Sequence, residues 1–313
     1  METPHTLQQA IIFFSDADRC FEYAVNLRWQ DGVITCPRCG SDRNSFVQTR
    51  KLWHCKGCRK QFTIKVGTVM EDSPIGLDKW MGAMWMLANC KNGVSSYEIH
   101  RALGITQKTA WFLLHRIRTA MNDTTGKIGG NGPIEMDETF VGGKVKNMHK
   151  SKRPIGPGVS GKPVGSTAKT IVVGMVERGG RVKAGVVLDR TNQTLDALTR
   201  ANVAEGATLI TDEWSGYHGT AYEHAVINHA VEYVNGHIHT NGIENFWSCL
   251  KRGLNGTYIS VEPAHLDAYV VEQVYRYNNR KGSNDRKRFE GVMAAVAGKR
   301  LTYSGLTGAA TSH

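Results

Sequence analysis

The chain has 313 residues, room for two or three domains, and its 39 Lys and Arg against 28 Asp and Glu leave a formal charge of +11. With 41% hydrophobic and 21% charged residues it has the composition of a globular protein, which excludes wholesale disorder. The densest apolar run, 80–90, is half the length that crosses a bilayer, and 1–10 has no basic segment leading into an apolar one. A cytoplasmic chain is therefore expected, with no membrane partner, and the charge excess favours a polyanion.

Taken in order, residues 16–30 carry Phe21, Ala24 and Leu27 at helical spacing. Two cysteine pairs follow, Cys36-Pro37-Arg38-Cys39-Gly40 and Cys55-Lys56-Gly57-Cys58, with strand and turn between them over 45–53. An apolar helix is expected at 77–87. Next come a helix capped by Ser95 or Ser96 and ended by Gly104, and a second helix, 107–121, capped by Thr106. Two short helices about a glycine turn form the helix-turn-helix pattern. Past Asp123, Gly126, Gly129, Gly130 and Gly132 make a linker. Strands are then expected at 134–141, 170–176 and 181–188, a helix at 195–203, a strand at 207–211 ending on Asp212, and helices at 242–254 and 263–278. That order defines an α/β domain with a mixed sheet covered on both faces. The expected divisions are 1–67 for the N-terminal helix and cysteine module, 68–125 for the helix pair, 126–285 for the α/β domain and 286–313 for a C-terminal tail, whose last ten or so residues would fray.

The cysteines are the most specific signal. C-x2-C, fifteen intervening residues and C-x2-C is the spacing of a four-thiolate zinc site, with Cys36, Cys39, Cys55 and Cys58 as ligands. Gly40 and Gly57 would let backbone amides approach the sulfurs. Two disulfides are the alternative, disfavoured in a reducing cytosol, and His54 finds no vacancy in a complete cysteine set. Cys20, Cys90 and Cys249 read as small buried hydrophobes. On the second helix of the pair, Gln107, Lys108, Thr109, Arg116 and Arg118 could meet bases and phosphates, unless the pair is a hairpin whose Trp111, Leu113, Leu114 and Ile117 fill a core.

The C-terminal half supplies acids. Asp137 lies inside the apolar strand 134–141, where Glu135 shares its face and Glu138 takes the other. Asp212 ends a strand and Glu244 opens a helix. A carboxylate within a strand is costly without a cation or hydrogen bonds, and two of them about 4 Å apart repel by roughly 4 kcal/mol near a surface. Three together call for a central positive charge, and hard oxygen ligands select Mg²⁺ or Mn²⁺. Two such ions can activate an attacking oxygen and stabilise the leaving oxygen of a phosphodiester. Lys251, seven residues after Glu244, lies two turns along the same helix face, placed to grip a phosphate. Taken singly, each acid could instead be a strand end or helix cap.

The segment 144–169 holds seven Lys and Arg and no acid. Its 156–162 stretch fits G-x-x-x-x-G-K, but Pro163 stands where Ser or Thr is needed, so no nucleotide cofactor is expected. A basic loop closing on DNA phosphates and a merely solvated loop both fit it. The helix from Pro263 would turn Leu266, Val270 and Val274 inward and present Arg276 and Arg280.

Several runs together resemble the zinc-ribbon DDE transposases of bacterial insertion sequences, the ISXO-like kind. They are Arg28-Trp29-Gln30-Asp31-Gly32 ahead of Cys-Pro-x-Cys-Gly; Met136-Asp137-Glu138-Thr139-Phe140-Val141-Gly142-Gly143; Asp212-Glu213-Trp214 with Tyr217; and His239-Thr240-Asn241 with Ile243-Glu244, Trp247 and Leu250-Lys251-Arg252. The resemblance runs from about residue 16 to about 280. It implies a ribonuclease-H-like catalytic domain with Asp137 on its first strand, Asp212 after its fourth, and Glu244 on a later helix, and it also matches Lys251. It further implies one structural Zn²⁺, two catalytic Mg²⁺ or Mn²⁺, double-stranded DNA (element ends and target) as partner, and a homo-oligomer on DNA. A DNA-binding regulator with an idle catalytic relic, and a metal-dependent nuclease that cuts without joining, are the rival expectations.

Overall fold

The computed structural model describes residues 3–143, 169–212, 222–227 and 240–308. The basic segment 144–168 lies outside them, as do Glu213, Trp214, Tyr217, His239 and the last five residues. The described residues form two compact units, 1–123 with 279–313, and 124–278.

The first unit opens with two helices, α1 (Leu7–Phe14) and α2 (Ala17–Arg28). α1 was not anticipated; Thr6 and Gln9 close a capping box at its start. Three short antiparallel strands follow, β1 (Asn44–Val47), β2 (Leu52–Cys55) and β3 (Gln61–Phe62). Their core is aromatic: Trp53 stacks on Phe62 at 5.6 Å and on Phe21 of α2 at 5.6 Å. The interior of the unit is α3 (Leu77–Asn89), whose Trp80, Met81, Met84, Trp85 and Leu87 are all buried.

The helix pair forms as the local signals dictate. α4 (Ser96–Leu103) starts with a capping box, Ser95 Oγ accepting from the Glu98 amide and Glu98 from the Ser95 amide. The Ser95 amide, and after it the Ser95 hydroxyl, hold the Glu98 carboxyl below its usual range. Gly104 ends the helix at φ +59, the left-handed region that glycine enters without penalty, and Thr106 caps α5 (Gln107–Met121).

The C-terminal tail of the sequence reading, as far as residue 308, groups with the first unit. α9 (Asp285–Ala294) buries Phe289 against Phe14, Tyr23 and Trp85. A further short helix, α10 (Tyr303–Thr307), follows. The segments 1–67 and 68–125, separate in the sequence reading, likewise share this unit as far as Asp123, because α3 supplies the interior that both need.

The second unit is a five-stranded sheet. β4 (Ile134–Val141), β5 (Thr170–Glu177) and β6 (Val182–Val187) run antiparallel, while β7 (Thr208–Asp212) and β8 (Glu223–Ile227) are parallel to β4, in the order β6-β5-β4-β7-β8. α6 (Asn192–Asn202) covers one face with Ile134, Met136, Val173, Met175 and Leu209 beneath it. α7 (Asn241–Gly253) and α8 (Leu266–Asn278) cover the other, over Val172, Val176 and Val182. Strand alternation sorts β4 between them: Ile134 and Met136 enter the α6 core, while Glu135 and Asp137 turn toward α7. β8 was not anticipated, since Glu223-His224-Ala225-Val226-Ile227 is short and mixed in polarity and gains its partner only through the sheet.

One α8 expectation is corrected. Arg276 is buried beside the fully buried Glu272, which accepts its hydrogen bond, whereas Arg280 is exposed. A buried guanidinium is tolerable here because the carboxylate one turn back neutralises it.

Gly174, opposite Asp137 in the β4–β5 register, exists for close approach. A Cβ there would fall 2.7 Å from the Trp247 ring and 2.9 Å from Ile243. Gly174→Ala should therefore destabilise the second unit by about 1–3 kcal/mol through overpacking, read as a lower midpoint in urea unfolding.

Candidate functional site

The four cysteines of the ribbon converge. Cys36 and Cys58 sulfurs are 3.8 Å apart, Cys39 and Cys55 sulfurs 3.6 Å, and all four lie within 4.8 Å of one another. A disulfide requires about 2.05 Å, whereas a tetrahedron of about 2.3 Å Zn–S bonds has edges of about 3.8 Å. The donor set and its spacing fit zinc. The knuckles form as follows: the Gly40 amide returns to the Cys36 carbonyl at 2.8 Å with φ +74, and the Cys55 amide bonds the Lys60 carbonyl at 3.0 Å. Arg59, not Gly57, takes the positive φ of the second knuckle, +58. Gly57 serves for space instead, since a Cβ there would stand 3.0 Å from Ser41 Cβ and 3.5 Å from Cys39 Sγ.

Four sulfurs this close cannot all ionise without a cation. The Cys58 amide, the largest influence, pulls the Cys55 thiol down to about 6. At Cys39 the Ser41 amide also pulls down, but the neighbouring thiols, Cys55 foremost, outweigh it and push the group up to about 11. A divalent cation removes this conflict by favouring the thiolate at every position.

On α5, the structure separates the candidate DNA contacts. Gln107 is half-buried and donates to Ser96 Oγ at 2.9 Å, tying the two helices, and Lys108 is exposed with its ammonium 4.8 Å from the Tyr303 ring. Arg116 and Arg118 are corrected: they are 4% and 1% exposed. Arg116 lies over the rings of Trp80 and Phe112 and donates to the Glu71 carbonyl, so it cannot meet bases. From Leu113 to Arg118 every residue of α5 is buried, and Lys108 in its first turn is the one residue of the helix that is exposed.

In the second unit, β4 and α7 bring the acids toward one face of the sheet. Asp137 is half-buried, and its Oδ2 accepts from Trp247 Nε1 at 2.9 Å. The indole reaches it by occupying the gap above Gly174. Glu244 is exposed in the first turn of α7, one turn before Trp247, where Thr240 Oγ1 donates to it at 3.4 Å. Lys251 is exposed one turn beyond Trp247. Glu244, Trp247 and Lys251 thus share one stripe, with the central residue bonded to Asp137. Asp212 is the last residue of β7. The parallel β4–β7 pair matches Ile134 with Leu209 and Glu135 with Ile210, an offset of 75, and 75 residues also separate Asp137 from Asp212. Among the described residues, the cysteines are the one group of three or more metal-ligating side chains within contact.

Two residues of this face lacked a role in the sequence reading. Trp247 could have been found from its place three residues after Glu244. Glu135 is 1% exposed, and its Oε1 accepts from Arg178 Nε at 2.8 Å. Its Oε2 accepts from the Gly242 and Ile243 amides at 2.7 and 3.0 Å. A charged residue between Ile134 and Met136 was its only signal.

A four-cysteine ribbon in one unit and an acid-bearing mixed sheet in the other are the parts of an insertion-sequence transposase. Residues 15–61 match the Transposase zinc-ribbon domain family and residues 130–278 the ISXO2-like transposase domain family. The chain thus carries, in this order, a segment similar to a transposase zinc ribbon and one similar to an ISXO2-like transposase domain. It is 25% identical over 253 residues to an uncharacterized protein in transposable element ISH50 of Halobacterium salinarum, a match spanning 77% of this chain and 84% of that one. It is 29% identical over 102 residues to an uncharacterized transposase-like protein of Haemophilus influenzae, spanning 32% of this chain and 82% of that one. No helix among the described residues is long and apolar enough to cross a membrane.

Proposed function

We propose that the protein is a DDE transposase that binds the terminal inverted repeats of its element and catalyses metal-dependent DNA strand cleavage and strand transfer. The observation that carries this reading is the parallel pairing of β4, which bears Asp137, with β7, which ends on Asp212, together with α7, which bears Glu244 and whose Trp247 donates to Asp137. The strand order, three antiparallel and two parallel with β4 central, supports a ribonuclease-H-like domain.

Asp137, Asp212 and Glu244 would hold two Mg²⁺ or Mn²⁺. When bound, such ions supply charge neutralisation for the attacking and leaving oxygens of a phosphodiester. Lys251 holds a phosphate oxygen beside them, as its exposed ammonium and its stripe on α7 allow. Water attacks first and frees a 3′-hydroxyl; that hydroxyl then attacks the target strand, with no covalent protein–DNA intermediate.

End recognition falls to the zinc ribbon and to α4–α5 as a helix-turn-helix. Gln107 and Lys108, in the first turn of α5, are the side chains offered to DNA, consistent with recognition helices that read bases from their N-terminal residues. Two ends must be held together, so the working form is a homo-oligomer on double-stranded DNA in the bacterial cytoplasm.

The test is a strand-transfer assay with the full chain, labelled end duplex, plasmid target and Mg²⁺. Joined product supports the reading. Nicking without joining makes the protein a nuclease, and no cleavage with either Mg²⁺ or Mn²⁺ removes the catalytic role.

A further inference from the structure

We propose that Glu135 is a positioning residue: from the central strand it clamps the N-terminus of α7 and so sets where Glu244 stands relative to Asp137. The inference rests on the reading of Asp137 and Glu244 as parts of one metal-binding centre.

A helix begins with amides that have no partner inside the helix. In α7 the capping residue, Thr240, makes no side-chain bond to them. Its hydroxyl is turned to Glu244 instead. The Gly242 and Ile243 amides are taken by Glu135 Oε2, a carboxylate 107 and 108 residues away in sequence. The negative charge is favoured there by the helix dipole, and Arg178 on Oε1 offsets its burial. Gly242 permits the approach, since a Cβ at that position would fall 2.7 Å from Glu135 Oε2.

The geometry makes this more than a helix cap. Glu244 is the residue immediately after the two clamped amides. Asp137 is two residues from Glu135 on the same face of β4, about 6.7 Å along the strand. α7 is thus fixed to β4 at two points, Glu135 to the amides and Asp137 to Trp247, and the backbone between those points carries Glu244. Glu135 is bonded to Arg178 and to the amides, and its part is to orient the acids, as outer residues orient metal ligands elsewhere.

Glu135→Gln and Gly242→Ala, both in the full chain, test this. Three measurements are needed: amide exchange at residues 242–243, binding of Mn²⁺ alone followed by the free-ion electron paramagnetic signal, and cleavage of end DNA against Mn²⁺ concentration. Glu135→Gln is expected to speed exchange at 242–243 and to raise the Mn²⁺ half-saturation about 10–100-fold in both binding and cleavage, with zinc content unchanged. Gly242→Ala, which leaves the carboxylate in place but crowds it, should shift Mn²⁺ half-saturation in the same direction; it decides the matter alone should Glu135→Gln fail to fold. Faster exchange with wild-type Mn²⁺ half-saturation in both variants would make Glu135 a helix cap only and overturn the proposal. A wild-type chain that neither binds Mn²⁺ nor cleaves with it overturns the reading of the centre itself, and the proposal with it.

Discussion

Asp137→Asn should reduce strand cleavage to background, a loss of at least about 10³-fold, while leaving binding to end DNA nearly intact. The magnitude follows from losing one metal-binding carboxylate: Lewis-acid stabilisation of the transition state is worth several kcal/mol, and each 1.36 kcal/mol is tenfold in rate. The substitution isolates chemistry from folding. Asparagine keeps the shape of the side chain, and its amide oxygen can still accept from Trp247 Nε1, so the seat of the indole over Gly174 survives. Only the charge is removed. Thermal unfolding should match the wild type, which separates this variant from Gly174→Ala, where packing itself is damaged. The measurement is a gel assay of nicked end duplex with Mg²⁺ and Mn²⁺, alongside a binding isotherm for the same duplex without metal. Cleavage retained within a few-fold by Asp137→Asn would remove Asp137 from the chemistry.

Loss of zinc should unfold the ribbon. Its strands have four, four and two residues, and its interior is little more than Trp53, Phe62 and their aromatic neighbours. So small a core cannot offset its own chain entropy, whereas structural zinc in comparable modules contributes about 10–16 kcal/mol of apparent binding energy at neutral pH. Cys55→Ser is expected to drop zinc from one ion per chain to none, expose 31–62 to protease and abolish specific end binding. Cys249→Ser, in α7 and outside the cluster, serves as the control and should retain zinc. Elemental analysis and limited proteolysis read both outcomes. A zinc-free Cys55→Ser chain with an intact, protease-resistant ribbon would contradict the folding role.

Local signals were read well because they need no distant partner. The C-x2-C pairs, the serine cap of α4, Gly104 at its end and Thr106 ahead of α5 each act within a few residues, and the structure has each of them in that place, with Ser95 as the capping serine. The strand rhythm around Asp137 and the placement of Asp212 at a strand end and Glu244 in a first helical turn were legible for the same reason. Arg116 and Arg118 mark the limit. Their spacing on α5 does not reveal that Trp80, Phe112 and the Glu71 carbonyl wait around Arg116, because those groups are set by packing within the unit.

By itself, then, the sequence determined the cysteine module, the helix pair, most of the elements of the mixed sheet and the elements on which the acids sit, all consequences of short-range geometry and periodicity. Tertiary structure alone decided that β8 completes the sheet, that 279–308 returns to the first unit, and that Trp247 reaches Asp137 across the gap at Gly174. It also decided that a buried carboxylate on β4 caps a helix 107 residues further along the chain. Those outcomes depend on which surfaces meet and which polar groups would otherwise be left buried without partners, and no local pattern encodes that.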